Sequence, residues 1–409
     1  MTVRKFITAI ILFLSLTGAK AQIPAIELMA DRDAIKIPFT YYYNFIIVDV
    51  KLGGMLPMRL ILDTGAENTL IFDKSYVDFI GTEYEREINI LGSDFSSEVT
   101  ALIARRVPFS IHRIGHTHSD IFVLNENLYH LEHFIGTEIN GILGSNVFNG
   151  LVMTIDYDRE YIKIERPDRF KAPKNAYALP FELQNGKPYI TAFSQCGYNE
   201  GDSLTYLVDS GAGISTMLHT NTNPSINLPE NIISGNLGSG LGGFITGFIG
   251  RMELIRIGPY EFKNLLSTFQ ELDTVLYQRA DIKRNGIIGN QILSRFDITL
   301  NYATKTIYLV PNASYNEEFQ VDRSGIILIA SGPNLNDYFI QDLLPNSPAA
   351  LAGLLAGDEI LTINGIHVSL FSMGWLARRF QGKVGKNICL KIRRDGKKMR
   401  KEMTLRDLI

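Results

Sequence analysis

Cysteine is nearly absent. The 409-residue chain has two, Cys196 and Cys389, far apart in sequence. That excludes a disulfide framework, and a bridge between them is not expected. Strong charge of one sign is lacking as well. The formal net charge is −3, so no general nucleic-acid affinity is implied. The one basic stretch, Lys391 to Lys401, surrounds Asp395-Gly396 and reads as a charged β-hairpin. Hydrophobic runs long enough to span a bilayer are missing too, the N-terminal run Phe6–Leu16 being too short. Arg4 and Lys5 precede that run and Ala19-Lys20-Ala21 follows it. Residues 1–21 therefore read as a secretory signal, and the chain is expected to be exported, periplasmic or secreted, with no stable membrane span after cleavage. An uncleaved N-terminal anchor is the alternative. With 45% hydrophobic and 20% charged residues, the remainder can build two or three domains with sizeable cores.

What is present is an internal repeat. The sequence Leu60-Ile61-Leu62-Asp63-Thr64-Gly65-Ala66 is matched by Tyr206-Leu207-Val208-Asp209-Ser210-Gly211-Ala212. In each, an apolar strand runs into an acid, a small hydroxyl residue, a Gly and an Ala. About 78 residues beyond each acid come Gly141-Ile142-Leu143-Gly144 and Gly286-Ile287-Ile288-Gly289. Met153-Thr154-Ile155-Asp156-Tyr157 then aligns with Ile298-Thr299-Leu300-Asn301-Tyr302 at an offset of 145, against 146 for the acids. Two copies in such register are a pseudo-symmetric pair, since a solenoid needs three or more repeats.

Each half resembles a lobe of the aspartic proteases of the pepsin and retropepsin clan, over roughly residues 25 to 312. The D-[TS]-G-A pattern is closer to retropepsin, with both halves in one chain. The resemblance implies a mostly β, bilobal fold of two closed barrel-like lobes. It also implies an aspartic endopeptidase whose Asp63 and Asp209 activate water, with no cofactor and no metal. Two adjacent carboxylates cannot both ionise; they share a proton and titrate as a pair. Thr64 and Ser210 are expected to hydrogen-bond across the lobe interface, and Gly65 and Gly211 to let the backbone approach the pair. A lone Asp-Thr-Gly would more simply be a turn with a capping Asp; the duplication decides against that.

Between each acid and its downstream Gly-rich strand the family places a flap. Gly92 and Ser93 stand there in the first half, and Gly238, Ser239 and Gly240 in the Gly-dense second, where Gly permits bending and close approach to substrate. Gly238-x-Gly240-x-x-Gly243 also satisfies a dinucleotide-binding spacing but lacks the helix that should follow. Five of the seven His lie between His112 and His133. Without strict zinc spacing they read as a solvated loop, with Gly115 as a turn.

Beyond residue 313 the pattern changes. Ser347-Pro348-Ala349, Ala352-Gly353-Leu354, Gly357-Asp358-Glu359-Ile360 and Ile363-Asn364-Gly365 follow in order. This run resembles a bacterial-type PDZ domain, with a flanking helix from Met373 to Arg379. The resemblance implies that Gly325, Ile326 and Ile327 form a carboxylate-binding loop able to take a peptide or C-terminal tail.

The expected division is signal 1–21, first lobe 22–172, second lobe 173–312, linker 313–322 and PDZ domain 323–409. The expected partners are a polypeptide substrate and a peptide ligand, with no nucleic acid. A non-catalytic peptide-binding or scaffold protein on the same fold is the rival reading.

Overall fold

The computed structural model describes residues 33–409 except 93–96, 113, 128–129, 198–199 and 280–283. The signal sequence and Ser93 lie outside the described residues. The chain is mostly β. Strands Phe45–Leu52, Leu56–Asp63, Gly141–Gly144, Leu70–Ile71, Ile114–Leu124 and Glu98–Ile111 pair in that spatial order. The last returns to the first through Leu52↔Phe109, closing a six-stranded barrel. The second half repeats the arrangement with Lys187–Gln195, Asp202–Val208, Gly286–Ile288, Thr216–His219, Tyr260–Gln270 and Gly243–Ile257, closed by Gln195↔Leu254. Closure removes the sheet edges, and alternating burial such as that of Phe45–Leu52 points every second side chain into the barrel.

A separate six-stranded sheet underlies both barrels and takes three strands from each half: Ala34–Pro38, Tyr161–Glu165, Val152–Asp156, Phe296–Asn301, Thr306–Pro311 and Tyr177–Pro180. At its centre the two repeat segments pair with each other, Thr154 opposite Thr299, their hydroxyls 2.8 Å apart. Equivalent residues that meet each other mark a two-fold axis, as in an isologous dimer. One continuous core, from Ile35 to Leu309, runs through both halves.

The third unit has its own core, from Ile326 to Leu405. Its sheet runs Ile326–Ser331, Asp337–Leu343, Glu359–Ile363, Asn387–Arg394, Lys397–Thr404. The two turns read from sequence are present, with Asn364 and Gly365, and Asp395 and Gly396, all at positive φ. Ser347 caps the short helix Pro348–Leu351 through its Oγ, and Ser372 caps Met373–Phe380.

Asp358, fully buried, is gripped by Arg394 Nε and Nη2 at 2.6 and 2.7 Å and by the Leu355 N–H at 2.9 Å. Burial raises its carboxyl, but these donors outweigh that and hold it below the usual range. Arg394→Met strands the carboxylate and is expected to cost about 3–5 kcal/mol. Urea unfolding followed by Trp375, the chain's single tryptophan, would measure it. Because the Asp358 pKa is depressed, this stabilisation is present above the unfolded carboxyl pKa, about 4, and disappears as pH falls through the folded value.

The segment 313–322, expected as the linker, is pinned to the second barrel. Tyr315 and Phe319 pack on Phe262 at ring distances of 5.8 Å each, and Arg295 holds the Ser314 and Glu317 carbonyls. The turn assigned to Gly115 falls earlier, because Ile111 and Ile114 already pair and His112 takes the positive φ.

Candidate functional site at the junction of the barrels

Asp63 ends its strand beside the parallel strand Gly141–Gly144, and Asp209 follows Val208 in the same relation to Ile288. The Asp209 N–H donates to the Ile288 carbonyl at 3.0 Å. Each downstream strand is sandwiched between the acid-bearing strand and the strand after the motif, Leu70–Ile71 or Thr216–His219. Both acids thus stand on central strands, at ends that face each other across the axis.

The approach is close enough to demand glycine. A Cβ on Gly65 would meet Asp209 Cγ at 2.6 Å, and one on Gly211 would meet Asp63 Cγ at 2.3 Å. The Gly65 and Ala66 N–H groups donate to Asp63 Oδ1 at 2.7 and 3.0 Å, and the Gly211 N–H donates to Asp209 Oδ1 at 2.8 Å. Behind the carboxyls Thr64 and Ser210 exchange hydrogen bonds. The Thr64 N–H donates to Ser210 Oγ and the Ser210 N–H to Thr64 Oγ1, both at 3.0 Å. Each hydroxyl then donates to the opposite strand, Thr64 to the Val208 carbonyl at 2.7 Å and Ser210 to the Leu62 carbonyl at 2.8 Å.

Burial pushes the Asp63 carboxyl well above the ordinary range, and the charge of Asp209 and their mutual hydrogen bond push it further, against the Gly65 and Ala66 donors. Asp209 is also raised by burial, but its bond to Asp63, the Arg284 and Lys187 cations and the Gly211 N–H act against the rise. A pair in which one carboxyl keeps a proton while the other is charged can act as acid and base at once.

The flap residues lie on hairpins that meet over this junction. Gly92 caps the first strand of its hairpin, its N–H on the Ser97 carbonyl at 2.8 Å. Gly238, Ser239 and Gly240 end the strand Ile232–Gly240, whose turn at Gly242 and Gly243 has φ of 110° and 118°, open only to glycine. Ser97 Oγ donates to the Gly242 carbonyl at 3.3 Å, so the tips touch. Leu91 of one hairpin and Ile245 of the other pack against the cluster of Tyr189, Leu207, Met217, Leu272 and Ile287, as do Ala212 and Ile214 just after the second acid.

Sequence reading missed Asn290 and Tyr157. Fully buried Asn290 donates to the Asn44 and Ser210 carbonyls and accepts from the Tyr157 hydroxyl at 2.7 Å, tying the halves together. The aligned tyrosines Tyr157 and Tyr302 were the available signal. In the histidine segment, His130, Glu132 and His133 bring their donor atoms within 4.8 Å of one another. The two rings, however, stack at 5.0 Å and 10°, and His130 Nδ1 lies 3.0 Å from Glu132 Oε1. Stacked rings hold their lone pairs side by side, which does not converge on one ion.

The family model of the PDZ domain matches residues 339–394. No curated protein matches the chain. PDZ domains bind peptides or C-terminal tails, and strand Ile326–Ser331 is at the edge of this sheet, where a peptide would add. The loop before it is already engaged. The Gly325 N–H donates to Asp322 Oδ1 at 2.7 Å and the Ile326 N–H to Ser324 Oγ at 3.1 Å. Asp322, raised to about 6 by burial against the Gly325 and Ser324 donors, is a resident carboxylate where a ligand's was expected. Helix Leu131–Ile135 of the first barrel packs on this same edge strand, and a Cβ on Gly136 would meet that of Met373 at 2.6 Å. Both walls of the peptide groove are touched from within the chain. Among the described residues no helix is long and apolar enough to cross a membrane.

Proposed function

We propose that this chain is an exported aspartic-type endopeptidase with two retropepsin-like lobes and a PDZ domain that receives a peptide or partner. The observation that carries the reading is the reciprocal pairing of Asp63-Thr64-Gly65 with Asp209-Ser210-Gly211 about one axis. Two half-buried carboxyls that interact directly suit hydrolysis without a covalent intermediate. The charged one takes a proton from water as it attacks the carbonyl carbon. The neutral one protonates the carbonyl oxygen. Collapse of the resulting diol breaks the C–N bond and returns the protons. The chemistry needs no metal or organic cofactor. The polypeptide would lie extended beneath the touching hairpins, which must part to admit it. The secretory pattern read at residues 1–21 supports a site of action in the periplasm or outside the cell.

The test is incubation of the chain lacking residues 1–21 with an unfolded polypeptide in 18O-water. New internal cleavage products carrying one 18O in each new carboxyl are expected, across acidic to neutral pH. No products from a folded sample, with and without peptide at the PDZ groove, would favour the rival reading of a peptide-binding scaffold. The contact of residues 131–136 with that groove is what favours including the peptide arm.

A further inference from the structure

Tyr42 and helix Leu131–Ile135 belong to the first barrel, yet both reach the third unit. The helix lies along strand Ile326–Ser331, the edge at which a peptide would add. One residue on, a Cβ on Gly136 would stand 2.6 Å from Met373 Cβ, and Met373 opens the helix on the other side of the groove. Gly374 follows. Its N–H is one of those that the first turn of a helix leaves without an intrahelical acceptor, and it donates to the Tyr42 hydroxyl at 3.3 Å. The next such N–H, on Trp375, is met inside the unit by Ser372 Oγ at 3.4 Å. Ile326 and Leu328 of the edge strand are each only 8% exposed. The groove is occupied from within the chain, along its strand and at the first turn of its helix.

The same elements reach the second flap. Helix Leu131–Ile135 also lies beside strand Ile232–Gly240. Ile135 belongs to an apolar cluster with Ile47, Ile61, Leu70 and Phe72. Leu131 and Tyr42 pack against that cluster, and so does Leu241, in the turn of the Gly-rich hairpin. Further down the hairpin, a Cβ on Gly235 would lie 3.5 Å from Leu344 Cδ2. The Leu344 N–H in turn donates to the Gly325 carbonyl at 2.8 Å, beside the groove. The hairpin is held at its tip by the first barrel and lower down by the third unit, with the helix alongside.

We propose that residues 131–136 and Tyr42 form a latch: seated in the PDZ groove, they exclude a peptide from strand 326–331 and keep the second flap closed over the carboxyl pair. A peptide adding to that strand needs the edge that the helix covers, so the two exclude each other and the peptide selects the unlatched state. The latch is weak enough to yield. A helix of five residues is not stable alone and depends on its tertiary packing, and water can take over the single bond to the Gly374 N–H. Eviction frees the hairpin on its helix side. Peptide in the groove and polypeptide beneath the flaps then bind cooperatively, each tightening the other by a factor of about 5–150, the range for coupled sites. The latch stands on these contacts; its effect on cleavage rests on the proteolytic reading.

The experiment is hydrogen exchange read by mass spectrometry on the full chain, beside cleavage of an unfolded polypeptide. Gly374→Leu keeps the helix and adds carbons where a Cβ already lies 3.8 Å from the Tyr42 ring, which should unseat the latch. Exchange in 131–136 and 232–250 should quicken about tenfold and cleavage rise by a similar factor, while strand Asn387–Arg394 in the third unit's core keeps its parental rate. Gly374→Ala stops at ordinary contact and should leave exchange unchanged. If Gly374→Leu loosens Asn387–Arg394 as well, Tyr42→Phe, outside the unit, takes its place. It loses one hydrogen bond and should quicken exchange in the same two segments about fivefold. In whichever variant keeps Asn387–Arg394 protected, parental exchange at 131–136 overturns the latch. So does quickened exchange there with 232–250 or an active parent's cleavage unmoved. Quickened exchange in both segments with no cleavage in any form overturns the proteolytic reading alone.

Discussion

Asp63→Asn and Asp209→Asn should each lower kcat/KM about 10³-fold or more and at the same time make the protein more stable. Asn has the shape of a neutral carboxyl and keeps the Oδ1 that accepts from the Gly65 and Ala66 N–H groups, or from the Gly211 N–H. What it removes is a titrating group, half-buried beside another carboxyl, that must take up or hold a proton on folding. Both carboxyls are raised in the folded state, Asp63 the more strongly. An acid with a raised folded pKa binds more protons folded than unfolded, so stability falls as pH rises from the unfolded carboxyl pKa, about 4, through the folded value. The variants lack one such group. Their Tm should equal that of the parent below about pH 4 and exceed it increasingly toward neutrality, by roughly 2–4 °C for each kcal/mol relieved. Scanning calorimetry across this range, beside peptide hydrolysis, checks both halves. A Tm gain with hydrolysis untouched would leave the paired carboxyls in place and sink their role in proteolysis.

That trade of stability for a charged site was legible in the sequence only as far as the repeat reaches. The acids, their hydroxyl neighbours and the downstream glycines are the same in both copies, and sameness at a fixed offset is what a repeat reading detects. Closure of each barrel and the meeting of Thr154 with Thr299 follow from the same register. The contact of Tyr42 and residues 131–136 with the third unit was invisible for the opposite reason. It lies outside what the copies share, and appears only once the units are packed. The loop of Gly325, Ile326 and Ile327 was found in sequence, but not that Asp322 and Ser324 would occupy its donors, because a short polar run gives no hint of which N–H each side chain will reach. Likewise 313–322 looked like a linker by composition, while two aromatics, Tyr315 and Phe319, decided its packing.

The hydroxyl exchange behind the carboxyls carries the other large effect. Thr64 and Ser210 are 2% and 1% exposed, so water cannot replace what either supplies. Thr64→Val keeps the side chain's volume but leaves the Ser210 N–H and the Val208 carbonyl unpaired; Ser210→Ala leaves the Thr64 N–H and the Leu62 carbonyl. At about 1–3 kcal/mol for each buried orphan, either change, leaving two, should cost roughly 2–6 kcal/mol. The double variant should cost less than the sum, because once one hydroxyl is lost the loops are free to separate and readmit water to the remaining groups. Thr64→Ser, which keeps the oxygen and gives up a methyl, should cost about 1 kcal/mol. Far-UV circular dichroism in urea, which reports the strands of both barrels, would measure these differences. Hydrolysis should fall further than stability, since the same hydrogen bonds fix the spacing of Asp63 and Asp209. Thr64→Val and Ser210→Ala variants that unfold at the parental urea midpoint would show that the barrels are held together without this exchange, and the sheet pairing at Thr154 and Thr299 and the bonds of Asn290 to Asn44 and Tyr157 would have to bear the junction.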